Sequence, residues 1–166
     1  MDIRMLVMDV DGTLTDGKIY MSAKGELMKA FNIKDGYGIA HLRDYGIEPV
    51  IITGRKSEIV ACRCEELKIK EFHQGIENKS FKLREICARF SLPLSQVAYI
   101  GDDLNDLPCM RICGFSACLS DAAETVKNSV NYVCRANGGD GAVRDVIDYI
   151  LLDKKPEDAN EFEFTK

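Results

Sequence analysis

Short apolar runs, each followed at once by polar residues, most constrain how this chain can fold. Residues 3–8, 49–53 and 97–100 predict buried strands, and 49–53 is a β-branched run without alternation, typical of a parallel strand covered on both faces. Segments with helical spacing separate the strands. Strands that alternate with helices predict an α/β fold, in which a Rossmann-like parallel sheet is flanked by helices.

The connections between the strands carry recognisable turn and cap signals. Residues 17–31 form two extended arms around Ala23-Lys24-Gly25, which predicts a β-hairpin flap directly after the first strand. Gly46 can end a helix over 36–45, and Ser57 and Asn78 can cap the two helices that follow. Because these elements use up the connections, we expect no separate cap domain.

Composition bounds the remaining possibilities. The chain has 166 residues, which favours a single domain over 1–153, followed by a polar tail over 154–166 that we expect to be mobile. The net charge of −5 disfavours a nucleic-acid partner, and no apolar run reaches the roughly 20 residues needed to cross a membrane. Seven cysteines without a CxxC pair predict buried, reduced thiols in a cytoplasmic protein.

Polar residues gather at one predicted edge of the sheet. In parallel sheets, ligands bind beyond the carboxyl ends of the strands. A lysine, Lys79, precedes a helix between the second and third of these strands. The residues that follow the three strands are, in order, Asp9 and Asp11; Thr53, Gly54 and Arg55; and Asp102, Asp103 and Asp106.

Such a set suits phosphoryl transfer. Crowded carboxylates repel one another unless a cation neutralises them, and oxygen ligands without histidine favour Mg²⁺ over zinc or iron. A carboxylate beside Mg²⁺ can attack a phosphoryl group to give an aspartyl phosphate, and its neighbour can protonate the leaving oxygen. A threonine hydroxyl and a lysine ammonium can hold the phosphoryl oxygens.

Four motifs stand in the order found in phosphatases of the haloacid dehalogenase superfamily, which the chain therefore resembles. They are DVDGT at 9–13, ITG at 52–54, Lys79 and GDDLND at 101–106. The resemblance implies that Asp9 is the nucleophile and that Asp11 is the general acid and base. It also implies Mg²⁺ ligation by Asp9, Asp102 and the backbone carbonyl of Asp11. The remaining implied roles are metal-site support from Asp103 and Asp106, and phosphoryl binding by Thr53, Gly54 and Lys79.

Further segments, FNIKDGYGI at 31–39 and GGDGAVRDV at 138–146 among them, resemble the capless subfamily that hydrolyses phosphates of long-chain keto sugar acids, and favour its members that act on the eight-carbon acid. This resemblance implies a homotetramer built through the flap hairpin, with neighbouring subunits helping to close each site. Arg55 and Arg63 suit the carboxylate of such a substrate. Gly139 permits close backbone approach to a ligand. Hydrolysis of nine-carbon acid phosphates, with the same catalytic set, remains an alternative.

Several residues also have structural interpretations. Asp106 could be a first-turn helix acid, Lys79 a solvated helix residue, and Arg63 a partner of Glu66 or Glu58. Gly139 could simply lead into a helix.

Two functions of other classes are alternatives to the phosphatase. A receiver-like phospho-acceptor domain carries its acceptor on the third strand, whereas both carboxylates here follow the first. A non-catalytic assembly module typically lacks a nucleophile or a ligand, and this chain has the full set.

Overall fold

The computed structural model describes residues 1–152. The tail predicted over 154–166 lies outside the described residues. The strands are β1 Met5–Met8, β2 Tyr20–Ser22, β3 Gly25–Met28, β4 Glu48–Ile52, β5 Glu71–His73, β6 Val97–Gly101, β7 Phe115–Cys118 and β8 Tyr132–Val133. The helices are α1 Ile33–Ala40, α2 Glu58–Glu66, α3 Lys79–Arg89, α4 Leu107–Met110, α5 Glu124–Lys127 and α6 Ala142–Leu151, with short 3₁₀ turns at Leu42–Tyr45 and Leu94–Gln96.

Six strands form one parallel sheet in the order β5-β4-β1-β6-β7-β8. Strand β1 lies between β4 and β6, and Met8 is in register with Ile51 on one side and Ile100 on the other. The carboxyl ends of these three strands therefore meet at one edge. The predicted α/β fold is confirmed.

Two apolar clusters cover the two faces of this sheet. Leu6 belongs to the cluster that includes Val143 and Ile147 of α6, whereas Val7 belongs to the cluster that includes Leu83 of α3. Because neighbouring strand residues point to opposite faces, a strand covered on both faces must be apolar throughout. This explains why the central strands show no polar alternation.

The hairpin stands apart from the main sheet. Among residues 1–152, strands β2 and β3 pair antiparallel with each other and with no other strand, and they lie within the 17–31 segment for which a hairpin flap was predicted. Within residues 1–152, the connections from β1 to β4 and from β4 to β6 contain this hairpin, helices α1 to α3, short turns and β5, and no cap domain.

The helix ends partly follow the predicted caps. Ser57 accepts a hydrogen bond from the Val60 amide, and Asn78 accepts one from the Phe81 amide. The helix predicted over 36–45 is wrong in its bounds, because α1 begins at Ile33, where the Asn32 side chain caps it. It ends at Ala40 and gives way to a 3₁₀ turn that closes at a left-handed Gly46.

The seven cysteines are free, and the structure buries five of them: Cys64, Cys87, Cys109, Cys118 and Cys134. Burial raises the pKa of the Cys64, Cys109 and Cys134 thiols to about 12, so these side chains stay protonated and pack as apolar groups. Cys62 is exposed, contrary to the prediction of burial. Among residues 1–152, no helix has the length and apolarity to cross a bilayer.

Candidate active site

Three carboxylates converge where β1 and β6 end. Asp9 follows β1, Asp102 follows β6, and Asp106 lies at the start of α4. One oxygen of each lies within 4.8 Å of the others. The Asp9 amide donates to the Ile100 carbonyl at 3.1 Å, which continues the pairing of β1 with β6 and fixes Asp9 at the sheet edge.

Asp106 is fully buried and organises the loop after β6. Its Oδ1 accepts hydrogen bonds from Lys79 Nζ at 2.8 Å and from the Tyr99 hydroxyl at 2.7 Å. Its Oδ2 accepts from the amides of Asp102 at 3.2 Å and Asp103 at 3.4 Å. The side chain forms no cap hydrogen bond with α4. Asp106 thus holds the loop that carries Asp102, and is more than a first-turn helix acid.

Lys79 is buried among these acids at the start of α3. Its Nζ lies 2.8 Å from Asp9 Oδ1 and 2.8 Å from Asp106 Oδ1, and its side chain is 2% exposed. Burial by itself would lower the pKa of Lys79, but the two carboxylates raise it above its ordinary value, so the side chain stays charged. The alternative of a solvated helix lysine is therefore wrong.

A cavity of about 160 Å³ opens in front of the acids. The sequence predicted most of its lining, and Asn105 is an addition. The glycine after Asp11 allows this geometry, because Gly12 has φ +90° and a Cβ there would lie 2.1 Å from Asp102 Oδ2. The cavity is lined by Asp9, Asp11, Thr53, Gly54, Arg55, Asp102, Asp103 and Asn105.

Arg63 does not belong to this lining. Its guanidinium pairs with Glu66 at 2.8 Å and lies over the Phe31 ring, 5.6 Å from the centroid. The structure therefore shows the alternative pairing with Glu66. The reason is local, since residues three apart on a helix are neighbours.

Gly139 likewise lies outside the lining. It has φ +70°, its amide donates to the Thr13 carbonyl at 3.0 Å, and a Cβ would come 2.6 Å from the Asp16 amide nitrogen. Its close backbone approach is to the segment after β1, so in this chain Gly139 supports the loop and does not line the cavity.

Sequence reasoning missed a charged group from the hairpin. Lys29 Nζ contacts Asp11 Oδ1 and lies 3.0 Å from Glu26 Oε1, with the Lys29 side chain 1% exposed. Glu26 Oε1 also lies 3.7 Å from Arg55 Nη2. Hairpin residues therefore reach this chain's own site. Only the spacing of Glu26 and Lys29 on a short hairpin arm hinted at a pair, and nothing in it showed what they would contact.

Tyr99 was also missed. It is the largest fully buried side chain and donates to Asp106, which the sequence could only hint at by placing one hydroxyl in an otherwise apolar strand. Thr13 lies beside the site as well, with its hydroxyl 3.5 Å from Asp102 Oδ1.

The sequence model of the haloacid dehalogenase-like hydrolases matches residues 66–147. The chain is 45% identical over 151 residues to the 3-deoxy-D-manno-octulosonate 8-phosphate phosphatase KdsC of Escherichia coli, covering 91% of this chain and 80% of that protein. The chain belongs to the haloacid dehalogenase-like hydrolase family. The predicted family is confirmed.

Solved structures of named phosphatases are also similar to this chain. The 3-deoxy-D-manno-octulosonate 8-phosphate phosphatase of Yersinia pestis has a TM-score of 0.89 at 45% identity, covering 91% of this chain and 82% of that one. The phosphatase of the same name from Moraxella catarrhalis has a TM-score of 0.88 at 40% identity, covering 91% and 87%. That structure holds a magnesium ion, a phosphate ion and a KDO molecule.

The electrostatics of this hydrolase site call for a cation. Burial, and to a smaller extent repulsion from Asp106, raises the pKa of Asp9 to about 6. Burial and the charges of Asp9 and Asp106 raise the pKa of Asp102 to about 7. Lys79 supplies one positive charge against three carboxylates, which leaves excess negative charge in a buried place.

The donor set fits magnesium. The cluster offers carboxylate oxygens only, with one partly exposed member facing the cavity, and Mg²⁺ prefers a few such oxygens together with water and phosphate. Asp9 and Asp102 are the side chains placed to hold it, because Asp106 already accepts hydrogen bonds from Lys79 and Tyr99. The predicted cofactor therefore suits the residues that the structure brings together.

We predict that the metal-free protein loses stability as pH rises from about 4 to about 7. The folded-state pKa values of Asp9 and Asp102 lie above the ordinary 3.8, so the folded state binds more protons than the unfolded state in that window. In thermal denaturation with a chelator, D102N should lose less stability than the parent between pH 5 and pH 8. Mg²⁺ at pH 8 should stabilise the parent and have little effect on D102N.

The exposed Asp44 provides a charge-matched control, since D44N should keep both the pH dependence and the response to Mg²⁺. Equal pH slopes for the parent and D102N would contradict the prediction.

Proposed function

We propose that the chain is a magnesium-dependent phosphomonoester hydrolase that converts 3-deoxy-D-manno-octulosonate 8-phosphate to 3-deoxy-D-manno-octulosonate and phosphate. The observation that carries the proposal is the convergence of Asp9, Asp11 and Thr53 on one cavity that Asp102 also lines. Two carboxylates beside one cavity suit phosphoryl transfer through an aspartyl phosphate. The substrate is inferred from relatives named for it at 45% and 40% identity.

In this proposal, a carboxylate oxygen of Asp9 attacks phosphorus, and the bond from phosphorus to the sugar oxygen breaks. Asp11 gives its proton to that oxygen as it leaves. Asp11 then takes a proton from a water that attacks phosphorus, which releases phosphate and restores the Asp9 carboxylate. Magnesium, when bound by Asp9, Asp102 and the main-chain carbonyl of Asp11, supplies positive charge that neutralises phosphoryl oxygens.

The neighbouring groups fit roles in binding and orientation. Lys79 holds Asp9 Oδ1 at 2.8 Å, which orients the nucleophile and places an ammonium near the phosphoryl group. Thr53 follows β4 and is nearly buried, with its amide bound to the His73 carbonyl at 2.9 Å, so that its hydroxyl is the group available to a phosphoryl oxygen. We assign phosphoryl binding to the Thr53 hydroxyl and to Gly54, which also lines the cavity.

Arg55 is the best placed group for the carboxylate of the substrate. It lines the cavity, its side chain is 45% exposed, and its guanidinium lies 3.7 Å from both Asp11 and Glu26 without a closer ion pair to either. Guanidinium groups bind carboxylates in a bidentate manner, which is selective for a planar anion.

The nucleophile assignment predicts that D9N releases phosphate only at background rate, because an amide oxygen is a far weaker nucleophile than a carboxylate. Phosphate release should be measured together with circular dichroism, which should show a folded protein. D16N is a matched control on the same loop, since Asp16 pairs with the exposed Lys18, and it should keep its turnover. Turnover near that of the parent in D9N would exclude Asp9 as the nucleophile.

The substrate assignment predicts the highest kcat/KM for the eight-carbon keto sugar acid 8-phosphate in a phosphate-release screen that includes nine-carbon keto sugar acid 9-phosphates. Every activity in the screen should disappear with a chelator and return with Mg²⁺. A clear preference for the nine-carbon acid would overturn the substrate, while leaving the reaction class intact.

We also propose that the chain forms a homotetramer through the hairpin of residues 17–31. The support is a set of apolar side chains that the hairpin exposes, although monomeric proteins usually keep exposed apolar patches small. Exposed fractions reach 62% for two of them. The side chains are Ile19, Tyr20, Met21, Leu27 and Met28.

Light scattering at micromolar concentration should therefore give about four times the 18.6 kDa chain mass. L27E should shift the mass downward, because it places a charge in the proposed contact. K24E, at the exposed hairpin turn, should not. A monomeric parent protein would rule the tetramer out.

We propose a reducing compartment, the cytoplasm, as the site of action. Seven free cysteines support this, since unpaired thiols persist where disulfides are kept reduced.

A further inference from the structure

We propose that Lys29 is a positioning residue for Asp11. The hairpin ammonium contacts Asp11 Oδ1 and so orients the carboxyl group, whose other oxygen, Oδ2, carries the proton given to the leaving oxygen. This inference rests on the proposed function, in which Asp11 is the general acid. It adds a residue of the hairpin, acting within the same chain, to the reaction.

The contacts of Asp11 single out Lys29. Lys29 Nζ touches Asp11 Oδ1 directly, whereas Arg55 Nε lies 3.7 Å from Asp11 Oδ2, beyond hydrogen-bond distance. Asp11 itself is only partly covered, with a side chain 21% exposed in the cavity lining. An aspartate at such a place can rotate, so a direct charged contact decides where its carboxylate lies.

Lys29 is unusually placed for a lysine. Its side chain is 1% exposed, and lysines are almost never fully buried unless they are paired. Its two carboxylate partners, Asp11 and Glu26, compensate for the loss of water around the ammonium. In a hairpin whose exposed side chains are largely apolar, this burial marks Lys29 as directed toward the site.

Glu26 connects this contact to the rigid core. The Ser57 hydroxyl donates to Glu26 Oε2, and the same Ser57 oxygen caps α2 by accepting from the Val60 amide at 3.3 Å. Glu26 Oε1 lies 3.0 Å from Lys29 Nζ. Lys29 is therefore held between a carboxylate fixed to α2 and the carboxylate of Asp11. The position of the hairpin and that of the acid are linked through one ammonium.

The position of the Asp11 carboxyl group matters most when the leaving oxygen needs a proton. A misplacement of about 1 Å can cost on the order of 100-fold in rate. A sugar alkoxide is a poor leaving group and depends on the general acid, whereas p-nitrophenolate leaves without protonation. The loss of rate caused by misplacing Asp11 should therefore depend on the leaving group. A loss of rate caused by general damage to the structure should be the same for both leaving groups.

The test compares kcat/KM for 3-deoxy-D-manno-octulosonate 8-phosphate and for p-nitrophenyl phosphate in K29M and in K18M. Methionine keeps the length of the side chain and removes its charge. Lys18 is the matched control, because it lies on the same hairpin, pairs with Asp16 and is 70% exposed. K29M should lose roughly 10- to 100-fold on the sugar acid phosphate, mainly in kcat, and little on p-nitrophenyl phosphate. K18M should match the parent, and K29R should recover part of the loss.

Equal losses on both substrates, or no loss on either, would overturn the positioning role. Should K29M not fold, E26Q carries the test, because it weakens the hold on Lys29 and should give a smaller loss with the same dependence on the leaving group. D11N separates the two levels of the proposal. If the loss of kcat/KM in D11N depends on the leaving group and the loss in K29M does not, only the role of Lys29 fails. If D11N shows no such dependence, the acid assignment of Asp11 fails with it.

Discussion

The excess of negative charge at the end of β1 is the constraint on which the rest of this structure depends. Asp9, Asp102 and Asp106 place oxygens within 4.8 Å of one another, and one buried ammonium, that of Lys79, lies among them. Like charges this close, and shielded from water, disfavour ionisation, as the raised pKa values of Asp9 and Asp102 show. A divalent cation offsets this excess, which is why the carboxylates can lie this close together when one is bound.

The sheet creates that imbalance by its topology. Because β1 lies between β4 and β6 and all three are parallel, residues that follow distant segments of sequence arrive at one edge. Asp106 then stabilises the arrangement, because its two oxygens accept hydrogen bonds from Lys79, from Tyr99 and from the backbone of the loop that carries Asp102. Removing Lys79 would leave the buried charge of Asp106 uncompensated, which is more costly than the loss of a single hydrogen bond.

The sequence predicted most strongly those site residues whose position follows from strand ends. Asp9, Asp11, Thr53 and Asp102 follow apolar runs directly, so the parallel sheet alone brings them together. The contacts of Arg63 and Lys29, in contrast, depend on the direction that a long side chain takes once its helix or hairpin has packed. Arg63 met a neighbour on its own helix, and Lys29 met the acid motif 18 residues away. Periodicity carries no information on such choices.

The hairpin shows why these tertiary choices matter for function. Its charged residues Glu26 and Lys29 contact the core of their own chain, whereas Met21 and Leu27 are largely exposed. One set of side chains therefore fixes the hairpin to Asp11 of its own chain, and a different set stays exposed. Because the two sets do not compete, a contact between subunits would restrain the hairpin without displacing Lys29 from Asp11. Assembly and positioning of the acid would then reinforce each other, since both limit the same motion of the hairpin.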